Sequence, residues 1–133
     1  MKYCTDTGFI LALFNEDQKA TNILEDVRYG KAQLIIPLIA YGESIRKLLH
    51  QGVHLENIEA FYRKIEQAEK VQMLELTRQI ANEGAQISLR YGLPLMDAFV
   101  AASGKISGCD RLLARDSDFK VMIKKNYLKV QSW

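Results

Sequence analysis

Residues 2–14, KYCTDTGFILALF, decide the fold class of this chain. Residues 2–6 are short and apolar enough to form a buried strand, and residues 8–14 continue as an apolar run that suits a helix. A strand that passes almost directly into a helix is typical of α/β proteins with a parallel sheet. Asp6 stands at this junction. The carboxyl ends of parallel strands border the crevice in which such proteins bind ligands, so this position is a candidate for function.

The rest of the chain alternates helical and strand patterns. Apolar residues at spacings of three and four predict helices over residues 16–29, 38–50, 55–69, 77–91, 95–107 and 117–125. Strands are predicted over residues 33–36, 71–76, 111–115 and 127–131. The apolar face of the helix over residues 38–50 is predicted to carry Leu38, Tyr41, Ile45, Leu48 and Leu49. The alternation predicts an α/β fold, a three-layer α/β/α arrangement around a central, mainly parallel sheet.

Length and composition fit one ordinary globular domain. A chain of 133 residues predicts a single domain over residues 1–133. The formal net charge of +2 neither requires nor excludes nucleic acid as a partner. Two cysteines, Cys4 and Cys109, are too few for a disulfide framework and are expected to be buried thiols. No apolar run reaches the ~20 residues of a membrane span, and no signal-peptide core is visible, so a cytoplasmic protein without a membrane partner is expected.

Four acidic residues stand where predicted elements begin or end, or near the start of a helix. They are Asp6, Glu43, Asp97 and Asp116. Asp6, Asp97 and Asp116 are each taken to mark a strand-to-helix junction, and such junctions meet at one edge of a parallel sheet. Two carboxylates about 4 Å apart repel by roughly 4 kcal/mol at an effective dielectric constant near 20. A cluster of them therefore predicts a bound cation.

Oxygen ligands alone predict Mg²⁺ or Mn²⁺. Asp6, Asp97 and Asp116 are the candidate ligands, and Glu43 is a candidate ligand or water-orienting group. A divalent cation of this kind activates water, which predicts hydrolytic chemistry. Zinc is not expected, because the cysteines and histidines lack ligand spacing.

Each acidic residue also has a purely structural interpretation. Asp6 and Asp116 could cap the helices that follow them. Asp97 would lie in the first turn of a helix, where a negative charge suits the helix dipole. Glu43 has Lys47 one turn later and could form an ordinary surface ion pair. These interpretations remain open beside the metal site.

Three cations near the predicted crevice are candidates for binding substrate phosphate: Arg46, Lys47 and Arg115. Solvated surface charge is the alternative for each of them. A nearly neutral protein with an acidic crevice is poorly suited to duplex phosphate, so a short accessible single strand is the more plausible substrate.

Four motifs together make the chain similar to a known family. They are CTDTG (residues 4–8), IAYGE (39–43), LPLMDA (93–98) and LLARDSDF (112–119). With these motifs in this order over essentially its whole length, the chain resembles the PIN-domain family, and within it the small VapC-type toxin ribonucleases. The resemblance implies a PIN-like fold and Mg²⁺- or Mn²⁺-dependent cleavage of RNA, single-stranded or structured. It also implies a homodimer and an antitoxin protein as partners.

The resemblance also implies roles for individual residues. The family's catalytic acidic positions would fall on Asp6, Glu43, Asp97 and Asp116. Thr7 and Asp118 would be accessory residues.

Two positions depart from the family pattern and keep a second function open. Many relatives carry Thr where this chain has Ala114, and Ser or Asn where it has Gly8. The alternative is therefore a catalytically inactive PIN-like module that binds RNA or protein. Two further motif readings fit poorly: Asp6-Thr-Gly8 resembles the triplet of the all-β aspartic proteases, and a DxD phosphatase would need an acid where Gly8 stands.

Overall fold

The computed structural model describes residues 1–115 and 119–133, in which five parallel strands form one sheet. The strands are β1 (Lys2–Thr5), β2 (Gln33–Pro37), β3 (Val71–Leu74), β4 (Arg111–Leu113) and β5 (Val130–Gln131). Their order across the sheet is β3-β2-β1-β4-β5, and every pairing between described strands is parallel.

Helices connect the strands and cover the sheet. They are α1 (Thr7–Phe14), α2 (Gln18–Arg28), α3 (Leu38–His50), α4 (Leu55–Glu66), α5 (Arg78–Tyr91), α6 (Leu95–Ile106) and α7 (Lys120–Lys124). The predicted α/β/α architecture with a parallel central sheet is confirmed.

The order of the strands places a crevice between β1 and β4. Cys4 of β1 pairs with Ile35 of β2 on one side and with Leu112 of β4 on the other. The chain builds outward from β1 through β2 to β3, and then returns to the other side of β1 with β4. In open α/β sheets, ligands bind outside the carboxyl ends of the strands at such a reversal. The residues that follow β1 and β4 therefore lie where a site is expected.

Helix α6 packs closely on the centre of the sheet because its inner face is made of small residues. Ala101, Ala102 and Gly104 are buried. A Cβ atom at Gly104 would lie 3.4 Å from the Cβ of Cys4 and 3.0 Å from Leu128 Cδ2. This approach holds the helix that carries Asp97 directly over β1.

The predicted apolar face of α3 is confirmed for Leu48, which is buried, and for Tyr41 and Ile45, which are half-buried against the core, but not for Leu38 and Leu49. The buried residues of this helix are Ala40, Ser44 and Leu48, whereas Leu38 and Leu49 are 39% and 46% exposed. Small side chains let α3 approach its neighbours, and the buried Ser44 hydroxyl has hydrogen-bond partners. Its Oγ atom donates to the Tyr41 carbonyl oxygen at 2.7 Å and lies 2.5 Å from the Tyr62 hydroxyl.

Several predicted boundaries were too long. The helices predicted over residues 55–69 and 95–107 end at Glu66 and Ile106, and the strand predicted over 127–131 comprises only Val130–Gln131. The helix predicted over residues 117–125 is described from Lys120 onward, and residues 117 and 118 lie outside the described part of the chain. Within that part, no helix is long and apolar enough to cross a membrane.

Candidate active site

A cleft of about 370 Å³ lies at the carboxyl edge of the sheet. Its lining residues are Asp6, Thr7, Gly8, Glu43, Lys47, Asp97, Arg115 and Trp133. Three of the four acidic residues singled out in the sequence therefore line one cleft, together with Thr7. The other predicted acids, Asp116 and the accessory Asp118, lie outside the described residues.

Asp6 combines a structural contact with a place in the cleft. It is the N-cap residue of α1, and its Oδ1 atom accepts a hydrogen bond from the Thr7 backbone N–H at 2.7 Å. Its own backbone N–H donates to the carbonyl oxygen of Leu113, the last residue of β4, at 3.1 Å, which continues the β1–β4 ladder past the end of β1. Asp6 is only 8% exposed, and the Thr7 N–H holds its carboxylate at the buried end of the cleft. The capping interpretation is thus correct, and it does not displace Asp6 from the cleft.

Glu43 reaches the cleft from the second turn of α3. Its Oε1 atom lies 3.2 Å from Lys47 Nζ, so the predicted ion pair is formed. The side chains of Lys47 and Glu43 are 46% and 27% exposed, which places the pair near the rim of the cleft. An exposed pair of this spacing contributes only ~0.3–0.5 kcal/mol, so a stronger ligand for Glu43 can displace Lys47.

Asp97 reaches the cleft by a different route from the one predicted. It lies in the first turn of α6, but α6 follows α5 and not a strand. Gly92, with φ of +69°, ends α5, and Pro94 begins α6 with extended backbone. The prediction that Asp97 marks a strand-to-helix junction was therefore wrong. The corner between α5 and α6 places the Asp97 carboxylate in the cleft, and the packing of α6 on β1 fixes its position.

Two of the three predicted phosphate-binding cations line the cleft. Lys47 and Arg115 do so, whereas Arg46 is exposed and is not a lining residue. The guanidinium carbon of Arg115 lies 4.4 Å from the centroid of the Trp133 ring, and its Nη2 atom donates to the Trp133 carbonyl oxygen.

Trp133 is a lining residue that the sequence reading missed. It comes two residues after β5, and β5 runs parallel to β4. The rule that placed Asp6 at the carboxyl edge applies equally to this position, so the signal was present. Charged residues alone do not mark this position as part of a site.

The carboxylate oxygens that line the cleft suit a hard cation such as Mg²⁺. Among residues 1–115 and 119–133, no three acidic, histidine or cysteine side chains form a group that could hold a metal ion. Mg²⁺ keeps several waters and is usually bound through one or two carboxylates together with substrate phosphates. Asp6, Glu43 and Asp97 supply oxygen ligands of the required kind. His50 and His54 are exposed, as expected.

A larger cavity, of about 560 Å³, lies at the opposite, amino-terminal edge of the sheet. It is lined by Lys105, Arg111 and Lys129 among others, and Asp110 is its one acidic lining residue among those described. Because carboxylates do not converge there, the smaller acidic cleft remains the candidate active site.

A parallel α/β sheet with carboxylates at its topological switch point defines the class of protein, and a family model identifies the family. The PIN domain model matches residues 3–125, so the chain belongs to the PIN domain family. Members of this family are typically nucleases and generally use divalent metal ions. No curated protein sequence matches the chain significantly.

Solved structures share the fold. VapBC2 from Rickettsia felis, bound to a DNA fragment from its promoter, gives a TM-score of 0.76 at 14% identity and covers 100% of this chain and 99% of its own. A toxin–antitoxin complex from Klebsiella pneumoniae gives 0.67 at 21% identity, with coverages of 89% and 90%. Mycobacterium tuberculosis VapC20, a toxin that cleaves the sarcin–ricin loop, gives 0.68 at 19% identity, with coverages of 88% and 92%.

Proposed function

We propose that the protein is a Mg²⁺- or Mn²⁺-dependent endoribonuclease that cleaves single-stranded RNA. The observation that carries the proposal is the meeting of Asp6, Glu43 and Asp97 in one cleft at the switch point of the sheet. These residues come from the β1–α1 junction, α3 and α6, which are far apart in the sequence. Membership of a family whose members are typically nucleases supports the same conclusion.

The acidic residues of the cleft have different proposed roles in hydrolysis. Asp6 and Asp97 are the proposed metal ligands among the described residues, with Asp116 as a further ligand outside them. Glu43 is free to change partner, because its present partner is an exposed lysine. When bound, the metal ion supplies Lewis-acid activation of water and neutralises phosphoryl charge.

The remaining lining residues orient the site and the substrate. The Thr7 backbone N–H holds one oxygen of Asp6, which limits rotation of the carboxylate. Arg115 and Lys47 are the cations available for RNA phosphates at the cleft. A positive charge next to a carboxylate group lets an anionic strand approach a cleft that would otherwise repel it. Asp118 is a proposed accessory acid.

A cleavage assay with a matched variant tests the proposal. Short single-stranded RNA is incubated with the purified protein in Mg²⁺, Mn²⁺ or EDTA, and products are resolved on a denaturing gel. We expect cleavage in either metal, none in EDTA, and a loss of at least a hundredfold in Asp6→Asn. Asparagine retains an oxygen that can cap α1, so the fold is preserved while the charge is removed. Equal cleavage by wild type and Asp6→Asn would contradict the assignment.

A second candidate function is a PIN-like module that binds RNA or protein without cleaving. The Lys47–Glu43 ion pair favours it, because it occupies one of the carboxylates of the cleft. RNA binding by wild type without cleavage, in both Mg²⁺ and Mn²⁺, would identify this function.

We further propose that the protein is the toxin of a toxin–antitoxin pair and forms a homodimer. The similar structures from Klebsiella pneumoniae and Rickettsia felis support the first statement. A groove lined by residues of α1, α2 and α4 is a candidate contact surface for the partner protein. Phe14, Phe61 and Ile65 form its apolar part, and Arg28 and Lys64 are basic residues of its lining.

The proposed homodimer has candidate contacts of its own, the exposed residues Leu89, Leu95 and Met96. Light scattering coupled to gel filtration would measure the dimer directly.

A further inference from the structure

Arg115 and Trp133 form a fixed pair at the wall of the acidic cleft. The guanidinium carbon of Arg115 lies 4.4 Å from the centroid of the indole ring, which is stacking distance. The Arg115 Nη2 atom also donates to the backbone carbonyl oxygen of Trp133. Two different groups of Trp133, the ring and the main chain, thus hold one cation in place.

The indole ring is itself anchored on the first helix. It packs edge-on against Phe9 with centroids 5.3 Å apart and an interplanar angle of 79°, and Phe9 is fully buried. A Cβ atom at Gly8 would lie 3.7 Å from Trp133 Cη2, so the ring covers the space over this glycine. The Nε1 atom of Trp133 is buried with no hydrogen-bond partner in the described structure. The ring is therefore held by its shape and not by its polar atom.

The two cations of the cleft differ in what they face. Lys47 lies 3.2 Å from the Glu43 carboxylate and partly neutralises it. Arg115 instead contacts the face of the Trp133 ring and donates to the main-chain oxygen of the same residue. Arg115 is thus the cation of the cleft that is held by an aromatic side chain.

We propose that Trp133 is a positioning residue that holds Arg115 to bind an RNA phosphate beside the cleft carboxylates. Stacking uses the face of the guanidinium and leaves its in-plane N–H groups for hydrogen bonds, one of which goes to the main-chain oxygen of Trp133. The planar fork of arginine matches phosphate oxygens bidentately, and lysine cannot reproduce this geometry. A side chain that is already oriented loses less conformational freedom when the ligand binds. This inference rests on the proposed RNA-cleaving function.

Binding and cleavage are measured separately, so that each proposal can fail alone. Fluorescence anisotropy with a labelled single-stranded RNA is carried out in the Asp6→Asn background, where cleavage is not expected. Trp133→Ala and Arg115→Ala are each expected to weaken binding by about tenfold. The double variant is expected to bind RNA no more weakly than the single variant that binds less tightly, because both changes remove the same phosphate contact.

Three further variants separate positioning from a structural effect. Trp133→Phe keeps an aromatic ring that can stack on the guanidinium, and it loses one ring of the indole together with the unpartnered N–H. A much smaller loss of binding than in Trp133→Ala is therefore expected. Arg115→Lys keeps the charge and loses the fork, so binding close to that of Arg115→Ala is expected. Arg46→Ala is the matched control, because Arg46 is exposed and does not line the cleft.

The salt dependence of binding gives a readout that loss of structure alone would not produce. For single strands, each phosphate contact adds about −0.7 to the slope of log K against log salt concentration. Trp133→Ala and Arg115→Ala should each reduce the steepness by about this amount, and Trp133→Phe should not. Strictly additive losses, or weaker binding by Trp133→Ala at an unchanged slope, would overturn the inference.

The outcomes also separate this inference from the proposed function. Cleavage by wild type with binding that ignores both Arg115 and Trp133 would overturn the positioning role alone. Binding that depends on both residues in a protein that never cleaves RNA would overturn the nuclease and retain the phosphate site. Absence of RNA binding in every variant would overturn the phosphate site itself.

Discussion

The ring of Phe99 lies directly against the backbone of Gly84. A Cβ atom built at Gly84 would come within 2.4 Å of Phe99 Cδ1 and 3.3 Å of Phe99 Cα. Gly84 is buried in the middle of α5, and Phe99 lies in α6 two residues after Asp97. Contact between these two helices therefore helps to set the position of a cleft carboxylate.

Gly84→Ala should destabilise the protein, because one of the contacting atoms belongs to the backbone of α6 and the helices must move apart. A cost of ~1–3 kcal/mol is typical of overpacking a tight contact. Urea denaturation measures the change in the free energy of unfolding. We also expect weaker metal-dependent cleavage at full folding, since α6 carries Asp97.

Gly42→Ala is the matched control. Gly42 lies inside α3, and a Cβ atom there would meet nothing within 4 Å. Alanine is favoured over glycine in a helix by ~0.5–1 kcal/mol, so this variant should be more stable than wild type. Destabilisation by Gly42→Ala as large as that by Gly84→Ala would show that the Phe99 contact is not the cause.

Two substitutions of Asp6 separate the effect of its charge on stability from the effect of its capping oxygen. Asp6→Asn keeps an oxygen for the Thr7 N–H and relieves repulsion from nearby carboxylates, so the metal-free protein should be as stable as wild type or more stable. Asp6→Ala also loses the cap and should cost ~0.5–2 kcal/mol relative to Asp6→Asn. Urea denaturation in EDTA measures both. A large loss of stability in Asp6→Asn would favour a purely structural role for this residue.

Sequence periodicity predicted the elements of this fold well because each strand is short, apolar and bounded by clear stop signals. β2 is the simplest case: Leu34, Ile35 and Ile36 are all buried, as expected for a strand covered on both faces. Prediction was less accurate where packing decides how a helix is turned toward the core. In α3 the small residues Ala40 and Ser44 are buried beside Leu48, and the Tyr62 hydroxyl is a partner for Ser44 across the interface. Such a partner, 18 residues away along the chain, cannot be seen in local periodicity.

The residues of the candidate site were likewise predicted only in part. Asp6 was found because a strand end in a parallel sheet fixes where the next residue lies. Asp97 was identified from its place at the start of a predicted helix, and the strand-to-helix junction assigned to it was wrong because the α5–α6 corner has no strand. Trp133 was missed although it follows β5 at the same edge. Its contact with Arg115 depends on the stagger of β4 and β5, which only the assembled sheet defines.

Lys47 should compete with a metal ion for Glu43. Since an exposed pair of this spacing contributes ~0.3–0.5 kcal/mol, Lys47→Met should tighten Mn²⁺ binding by about twofold. Isothermal titration calorimetry measures the dissociation constant, and Mn²⁺ should also raise the melting temperature of both proteins. Lys19→Met, which removes an exposed lysine from α2, controls for the change in net charge. Weaker Mn²⁺ binding by Lys47→Met than by Lys19→Met would contradict this competition.

Cys109 should react as a thiolate at neutral pH. A hydrogen bond with Cys4 lowers the pKa of Cys109 to about 7, against the raising effect of burial, and raises the pKa of Cys4 well above its ordinary value. The Ser107 hydroxyl, 3.2 Å from Cys109 Sγ, lowers the pKa of Cys109 further. The thiolate is the reactive form, so the rate of alkylation by iodoacetamide should rise with pH through a midpoint near 7 and level off above it.

The Cys4→Ala variant tests the cause of this shift. It removes the largest influence that lowers the pKa of Cys109, so the midpoint should move up toward the ordinary thiol value of ~8.5. At pH 7 the thiolate fraction, and with it the alkylation rate, should then fall by roughly tenfold or more. Ser107→Ala removes a smaller influence and should move the midpoint in the same direction by less. Peptide mapping after alkylation assigns the reaction to Cys109, and a wild-type midpoint near 8.5, or no change in Cys4→Ala, would rule out the thiol pair as the cause.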